Sequence, residues 1–94
     1  MAVEILLDVR DLLSPVGLEV VLGALDELRE GHYLRVVHRD SSQCLCELTD
    51  RLGFDHLLRP TDESTFNIFI WLSTDHVAAL TVQKVTDREE PRMS

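Results

Sequence analysis

The chain has few of the residues that mark nucleic-acid binding, secretion or membrane insertion. Of its 94 residues only nine are lysine or arginine, against 17 acidic ones, so the formal net charge is −8. The resulting negative field repels nucleic acid and anionic membranes, and we expect neither as a partner. No apolar run is long enough to span a bilayer, and no basic start followed by an apolar segment predicts a secretion signal.

Cysteine is also scarce. Cys44 and Cys46 are the only two, and one residue separates them. On a helix this spacing turns the two side chains about 200° apart, so they cannot chelate one metal together. Neither is the spacing that of a zinc motif or of a disulfide across a core. We therefore predict free thiols, a cytoplasmic location, no metal and no cofactor.

What the chain does have is a regular alternation of short strands and helices. Apolar residues make up 45% of it, which predicts a folded domain. Strands are predicted at 4–9, 33–38, 56–60 and 65–73, the first of them buried. Pro60 places the third strand at a sheet edge, and the apolar second face of the fourth indicates a strand that is either central or covered by another element.

Two helices lie between the first three strands. Ser14 is a good N-cap, Pro15 is favoured at the first helical position, and Gly31 is a typical stop. One apolar stripe runs along this helix: Leu18, Val21, Leu22, Leu25 and Leu28. A shorter helix starts at Asp40 or Ser41 and ends at Gly53.

These elements predict an α/β two-layer sandwich of order β-α-β-α-β-β. Its four-stranded mixed sheet carries both helices on one face. We divide the chain into an α/β domain at 1–74 and a partly ordered C-terminal extension at 75–94. Residues 75–85 fit either a short helix or a fifth strand through Leu80, Thr81 and Val82, and the β-branched residues favour the strand.

The start of the chain resembles the TusA/SirA family of small sulfur-carrier proteins over roughly residues 4–73. The signature of that family is Asp-x-Arg-Gly, a short spacer, and Cys-Pro-x-Pro at a helix start. Asp8, Arg10 and Pro15 match this pattern, whereas Asp11 and Gly17 replace a glycine and a proline. Ser14 stands where the family has its persulfide-bearing cysteine. Since a hydroxyl cannot form a persulfide, the chain is more similar to a cysteine-less branch of uncharacterised function.

The resemblance makes Asp8, Arg10, Ser14 and Pro15 the candidate binding residues. Ser14 is interpreted as a helix cap rather than a nucleophile, because no histidine or acid stands at motif spacing. Asp8 and Arg10 either order the loop before the helix or line a ligand site, since arginine suits carboxylate, phosphate and sulfur oxyanions. Cys44 and Cys46 are candidate reactive thiols, because one lies near a helix N-terminus.

The aromatic residues of the last strand suggest an interface. Phe69 and Trp71 form its second apolar face, which two helices on the other side would leave uncovered. We therefore expect a protein partner or self-association there.

Three functions are compatible with these features. The first is a small non-catalytic binding or regulatory domain, and no catalytic residue is predicted. The second is a sulfur-transfer protein that uses Cys44 or Cys46 in place of the missing cysteine. The third is a sensor of small anions at the N-terminus of the first helix.

Overall fold

A computed structural model describes residues 1–12, 16–39, 43–61 and 64–89. Four strands and three helices follow one another along the described chain. They are β1 (Val3–Asp8), α1 (Val16–Glu27), β2 (His32–His38), α2 (Gln43–Arg51), β3 (Phe54–Pro60), β4 (Phe66–Leu72) and α3 (His76–Glu89). The predicted order β-α-β-α-β-β is confirmed, and one further helix follows it.

The strands form one mixed sheet in the order β1-β2-β4-β3. β1 runs parallel to β2, and β4 runs antiparallel to both β2 and β3. The parallel pair needs a long connection, which α1 supplies. β3 lies at an edge, as the sequence predicted, and β4 is central; Pro60 ends β3, where its missing N–H costs nothing in the sheet.

α1 and α2 cover the first face of the sheet. Its core contains Leu34 and Val36 of β2 and Ile68 and Ile70 of β4, none of them accessible to solvent. Val21, Leu25 and Leu28 from the predicted stripe and Leu45 of α2 belong to the same core, together with Val9 and Phe54. Two helices on one face of a four-stranded mixed sheet are therefore confirmed.

α1 ends earlier than its glycine stop predicted. The last helical residue is Glu27, and bonds from Leu28 N to Leu25 O and from His32 N to Arg29 O form the turn into β2. Gly31 lies in that turn with φ of 87°, a conformation that L side chains rarely adopt. The glycine is thus needed in the connection rather than at the helix terminus itself.

α3 packs on the second face of the sheet and adds a layer there. Ala78 and Val82 of this helix contact Tyr33 and Phe69, and all four side chains are buried. The segment that favoured a fifth strand is therefore a helix of 14 residues. Its Thr81 and Thr86 hydroxyls donate to carbonyls one turn earlier in the helix, at 2.8 and 3.0 Å, which satisfies them inside the structure.

Polar contacts fix both ends of α3. At its start, Asp75 accepts hydrogen bonds from the amides of Ala78 (3.0 Å) and Gly31 (2.8 Å). The first bond is an N-cap, and the second joins the helix to the start of β2. At its end, Glu89 pairs with Arg35 of β2 at 2.9 Å.

β1 lies at the other edge of the sheet, where the sequence predicted a buried strand. Among the described strands only β2 pairs with it, and its side chains are mostly exposed, including Val3 (58%) and Leu6 (59%). The apolar run of β1 thus belongs to an open edge.

Candidate functional site

A row of four side chains crosses the second face beyond the end of α3. The strand register places Asp8 of β1 beside Val37 of β2, Val37 beside Asn67 of β4, and Asn67 beside Arg59 of β3. Side chains alternate between the two faces of a sheet, so this row lies on the same face as Phe69. It is two residues beyond the part of the face that α3 covers.

An open groove of about 440 Å³ lies over this row. Its lining combines an apolar floor with polar walls: Leu6, Asp8, Arg10, Val37, Thr61, Thr65 and Asn67. The residues come from three strands and two connections, so the groove exists only in the folded sheet. A site of this composition suits a ligand or peptide with both apolar and charged groups.

Asp8 and Arg10 form the charged wall of the groove. Arg10 Nε lies 3.1 Å from one carboxylate oxygen of Asp8, and the Arg10 amide donates to the other at 3.3 Å. Both side chains are about 40% exposed (40% and 43%). The pair orders the turn after β1 and at the same time presents a guanidinium and a carboxylate to the groove.

Arg39 holds the same turn from the end of β2. Its Nε donates to the Arg10 carbonyl at 2.8 Å, and its terminal nitrogen lies 3.2 Å from the Asp11 carboxylate. The backbone of residue 10 is therefore fixed by two neighbouring segments, which limits the positions that the Arg10 side chain can reach.

The opposite wall is the connection between β3 and β4. Thr61 N donates to the Thr65 carbonyl at 2.9 Å, and the two hydroxyl oxygens lie 2.7 Å apart. Ser64 has φ of 61°, the left-handed conformation that closes this turn. Two threonines thus line the groove, with their hydroxyls hydrogen-bonded to each other.

Arg35 marks the boundary between the groove and α3. Its guanidinium carbon lies 4.9 Å from the centre of the Phe69 ring, and its Nε lies 2.7 Å from the Glu4 carboxylate as an ion pair rather than an aligned hydrogen bond. With Glu89 on its other side, the arginine is paired twice. It is therefore a structural group that attaches α3 to the sheet.

Tyr33 lies beside this cluster and is strongly affected by it. Burial, then the hydrogen bond that its hydroxyl donates to Glu4 (3.1 Å), raise the pKa of Tyr33 to about 12. The phenol stays neutral at any physiological pH, so it acts as a donor to the carboxylate.

The predicted binding residues are only partly brought together by the described structure. Asp8 and Arg10 line the groove. Ser14 and Pro15 lie outside the described residues. Phe69 is 1% exposed beneath α3, which corrects its assignment to an interface; Trp71 packs in the same cluster and is half-buried.

Cys46 lies away from the groove. Cys46 is on α2 and packs against the core of the first face. Burial, and then the charge of Asp50, raise the pKa of its thiol, which lowers the thiolate fraction at neutral pH. The side chain of Cys44 lies outside the described part.

Within the described ranges, no three histidine, cysteine, aspartate or glutamate side chains are grouped so that they could hold a metal ion. The groove lining contains hydroxyl, amide, carboxylate and guanidinium groups but neither a thiol nor an imidazole. Its arrangement can bind and orient a ligand through hydrogen bonds and charge.

Sequence reasoning missed the second half of the site. Thr61, Thr65 and Asn67 are more than 50 positions from Asp8 in the chain, and nothing in their local pattern marks them. The alternation of β4 did predict that Asn67 lies on the same face as Phe69. Knowledge of the strand order was needed to place that face beside β1.

No protein-family model, no curated protein and no solved structure matches the chain. Among the described helices, none is long and apolar enough to cross a membrane. The functional proposal therefore rests on the fold, the groove and the resemblance seen in the sequence.

Proposed function

We propose that this protein is a small non-catalytic binding or regulatory domain of TusA/SirA-like fold, and that the groove at the end of β1 is its binding site. The observation that carries the proposal is the position of Asp8 and Arg10. The resemblance selected these two residues from the sequence, and in the structure they form one wall of a groove built by three strands.

The chemistry of the groove supports binding of a protein partner through a polar segment. The Arg10 guanidinium suits a carboxylate or another oxyanion, and the hydroxyls of Thr61 and Thr65 both donate and accept hydrogen bonds. Leu6 and Val37 offer an apolar floor for one side chain. We place this activity in the cytoplasm, as the cysteine spacing suggests.

Sulfur transfer through Cys46 has less support. A carrier needs a thiolate at neutral pH, and both causes that act on the pKa of Cys46 work against it. Incubation with a cysteine desulfurase and cysteine, followed by intact mass measurement, tests this alternative directly. A gain of one sulfur atom that is lost in Cys44→Ala or in Cys46→Ala would favour the carrier function over the binding domain and would identify the thiol that carries the sulfur.

A quantitative pull-down with purified bait tests the binding site. We expect the partner retained by the wild-type chain to fall at least fivefold in Arg10→Ala and in Asn67→Ala. Arg51→Ala is the matched control, because this arginine is exposed at the end of α2 on the other face. Circular dichroism confirms that each variant is folded.

Two outcomes contradict the proposal. One is equal retention of the partner by the wild type and both groove variants. The other is the absence of any partner that the wild type retains and an unrelated acidic domain does not.

A further inference from the structure

The outer edge of β1 has backbone groups available for another strand. Val3 N bonds to Gly31 O, and Val9 N bonds to Val37 O, so the odd-numbered residues of β1 face β2. Backbone groups alternate in direction along a strand. Those of Glu4 and Leu6 therefore point outward, and no described strand pairs with them.

The same edge exposes several apolar side chains, and its two charged residues are Glu4 and Asp8. Val3, Ile5 and Leu6 are exposed by 58%, 38% and 59%. Natural sheets protect open edges with lysine, proline or a bulge. Residues 3–8 contain no lysine and no proline, and their pairing with β2 proceeds without interruption.

α1 extends this apolar surface on the first face. Val16 and Val20 are exposed by 49% and 40% and lie one turn apart on the same side of the helix. Leu18 and Leu22, on the opposite flank, pack into the core together with Leu45 of α2. Because α2 packs against β3 at the far edge, the valine flank faces the β1 side of the sheet.

We propose that a second copy of this chain binds there, with the two β1 strands antiparallel about a two-fold axis at Ile5. The two sheets then join into one of eight strands, and the α1 helices approach each other above the junction. Exposed edges that pair with themselves in this way are a known route to dimers. This inference does not depend on the groove or on its partner.

Charge and backbone direction select the register. Residues whose backbone N–H and C=O groups point outward must stand opposite each other to exchange hydrogen bonds. An axis at Glu4 sets two Glu4 side chains against each other, and an axis at Leu6 sets Glu4 against Asp8. An axis at Leu7 would pair Ile5 with a residue beyond Asp8, where β1 ends.

The axis at Ile5 avoids all three problems. Glu4 then stands opposite Leu6 of the second copy, and the two residues exchange both backbone hydrogen bonds. On the first face, Val3 stands opposite Leu7 of the second copy, and Ile5 stands opposite its own equivalent. Every cross-strand pair on that face is apolar, which favours pairing.

Sedimentation equilibrium of the full chain gives the first test. We expect a mass of twice the 10.7 kDa of one chain for the wild type and for Leu80→Lys, an exposed position on α3. Ile5→Lys places two positive charges against each other at the axis, and we expect the mass of a single chain. A wild-type dimer that survives Ile5→Lys overturns the proposal.

Disulfide crosslinking gives the second test, which remains decisive if Ile5→Lys does not fold. In a Cys44→Ser, Cys46→Ala background, Ile5→Cys places two thiols in a non-hydrogen-bonded pair, about 4.5 Å apart at Cα, within the range of a disulfide. Oxidised glutathione, as the oxidant, takes up two electrons and two protons as the S–S bond forms. In the Leu6→Cys variant the new thiol stands opposite Glu4 of the second copy, so no crosslink should form.

We expect a crosslinked dimer for Ile5→Cys only. Crosslinking through Leu6→Cys instead overturns the register and with it the proposal. A wild-type chain that stays monomeric up to millimolar concentration also overturns it, and leaves the β1 edge to a strand from a different protein.

Discussion

At the scale of single residues, a few side chains connect parts of the chain that are far apart in sequence. Asp75 joins α3 to the start of β2, and Glu4 joins β1 to both Tyr33 and Arg35. These contacts are buried or half-buried, where a charged hydrogen bond contributes more than at the surface. Their removal should therefore affect the whole fold.

Tyr33 offers a direct test, because it is the only tyrosine in the chain. Its pKa is raised to about 12, first by burial and then by the bond to Glu4, so the folded phenol stays mostly protonated at pH 11. We expect little tyrosinate absorbance near 295 nm at that pH, and full ionisation in urea. Stability should fall as pH rises from about 10 towards 12, since only the unfolded state loses the proton there.

Glu4→Gln is the control for this titration, since it removes the nearby negative charge and should lower the pKa of Tyr33. Far-ultraviolet circular dichroism shows whether the chain is still folded at each pH. A native spectrum together with ordinary ionisation near pH 10 would contradict the buried contact.

Asp75→Ala should lower the free energy of unfolding by about 1–2 kcal/mol, because an N-cap and a second amide bond are lost together. The two amides also lower the pKa of Asp75 below its usual 3.8. Its contribution is thus present above about pH 4 and is lost as the pH falls through the lowered pKa.

Urea unfolding at pH 7 and at pH 3 measures both effects. The difference between wild type and Asp75→Ala should shrink at pH 3. Asp26→Ala, at an exposed position of α1, should change the stability by less than about 0.5 kcal/mol. Equal effects of the two substitutions at pH 7 would show that Asp75 does not hold α3.

At the scale of elements, the sequence predicted every described element except α3. β4 has apolar residues in alternation, β2 is rich in β-branched and aromatic residues, and α1 has a continuous stripe, although α1 ends at Glu27, before its predicted stop. The apolar face of α3 consists of small residues and threonines, which also fit a strand. Packing against Tyr33 and Phe69 outweighs the β propensity of Thr81 and Val82.

The candidate site was likewise only half predictable. Asp8 and Arg10 match the family signature, so the resemblance selected them from the sequence, and both line the groove. Thr61 and Asn67 reach the groove through the strand order β1-β2-β4-β3, which brings distant segments side by side. A strand order depends on tertiary packing, and no local pattern encodes it.

The attachment of α3 can be tested through Trp71, the only tryptophan, which packs in the cluster beneath the helix. Val82→Asp buries a charge without a partner and should release α3 from the sheet. We expect a red shift of the fluorescence maximum and a lower unfolding midpoint in urea. Val77→Asp makes the same change at a position 54% exposed on the same helix and should shift neither.

At the scale of the whole molecule, charge and apolar surface oppose each other. Each copy carries a net charge of −8, so two copies repel at long range, while the β1 edges attract at contact. Salt shortens the screening length from about 20 Å near 20 mM to about 4 Å near 500 mM.

We therefore expect the dissociation constant of the dimer to fall severalfold over this range of salt, as measured by sedimentation. Ile5→Lys should remain monomeric at both salt concentrations. A dissociation constant that rises with salt would indicate an interface held by opposite charges instead of the apolar edge.

The open edge of β1 also has a consequence for the exchange of amide protons with solvent. In a single copy, the amides of Ile5 and Leu7 are bonded into the sheet, whereas those of Glu4 and Leu6 face water. Deuterium should therefore replace the amide protons of Glu4 and Leu6 within seconds, while the amide protons of Ile5 and Leu7 stay protected. When two copies pair through β1, the amide exchange of Glu4 and Leu6 also becomes slow. Exchange along the six residues of β1 therefore reports both the folding of one chain and its dimerisation.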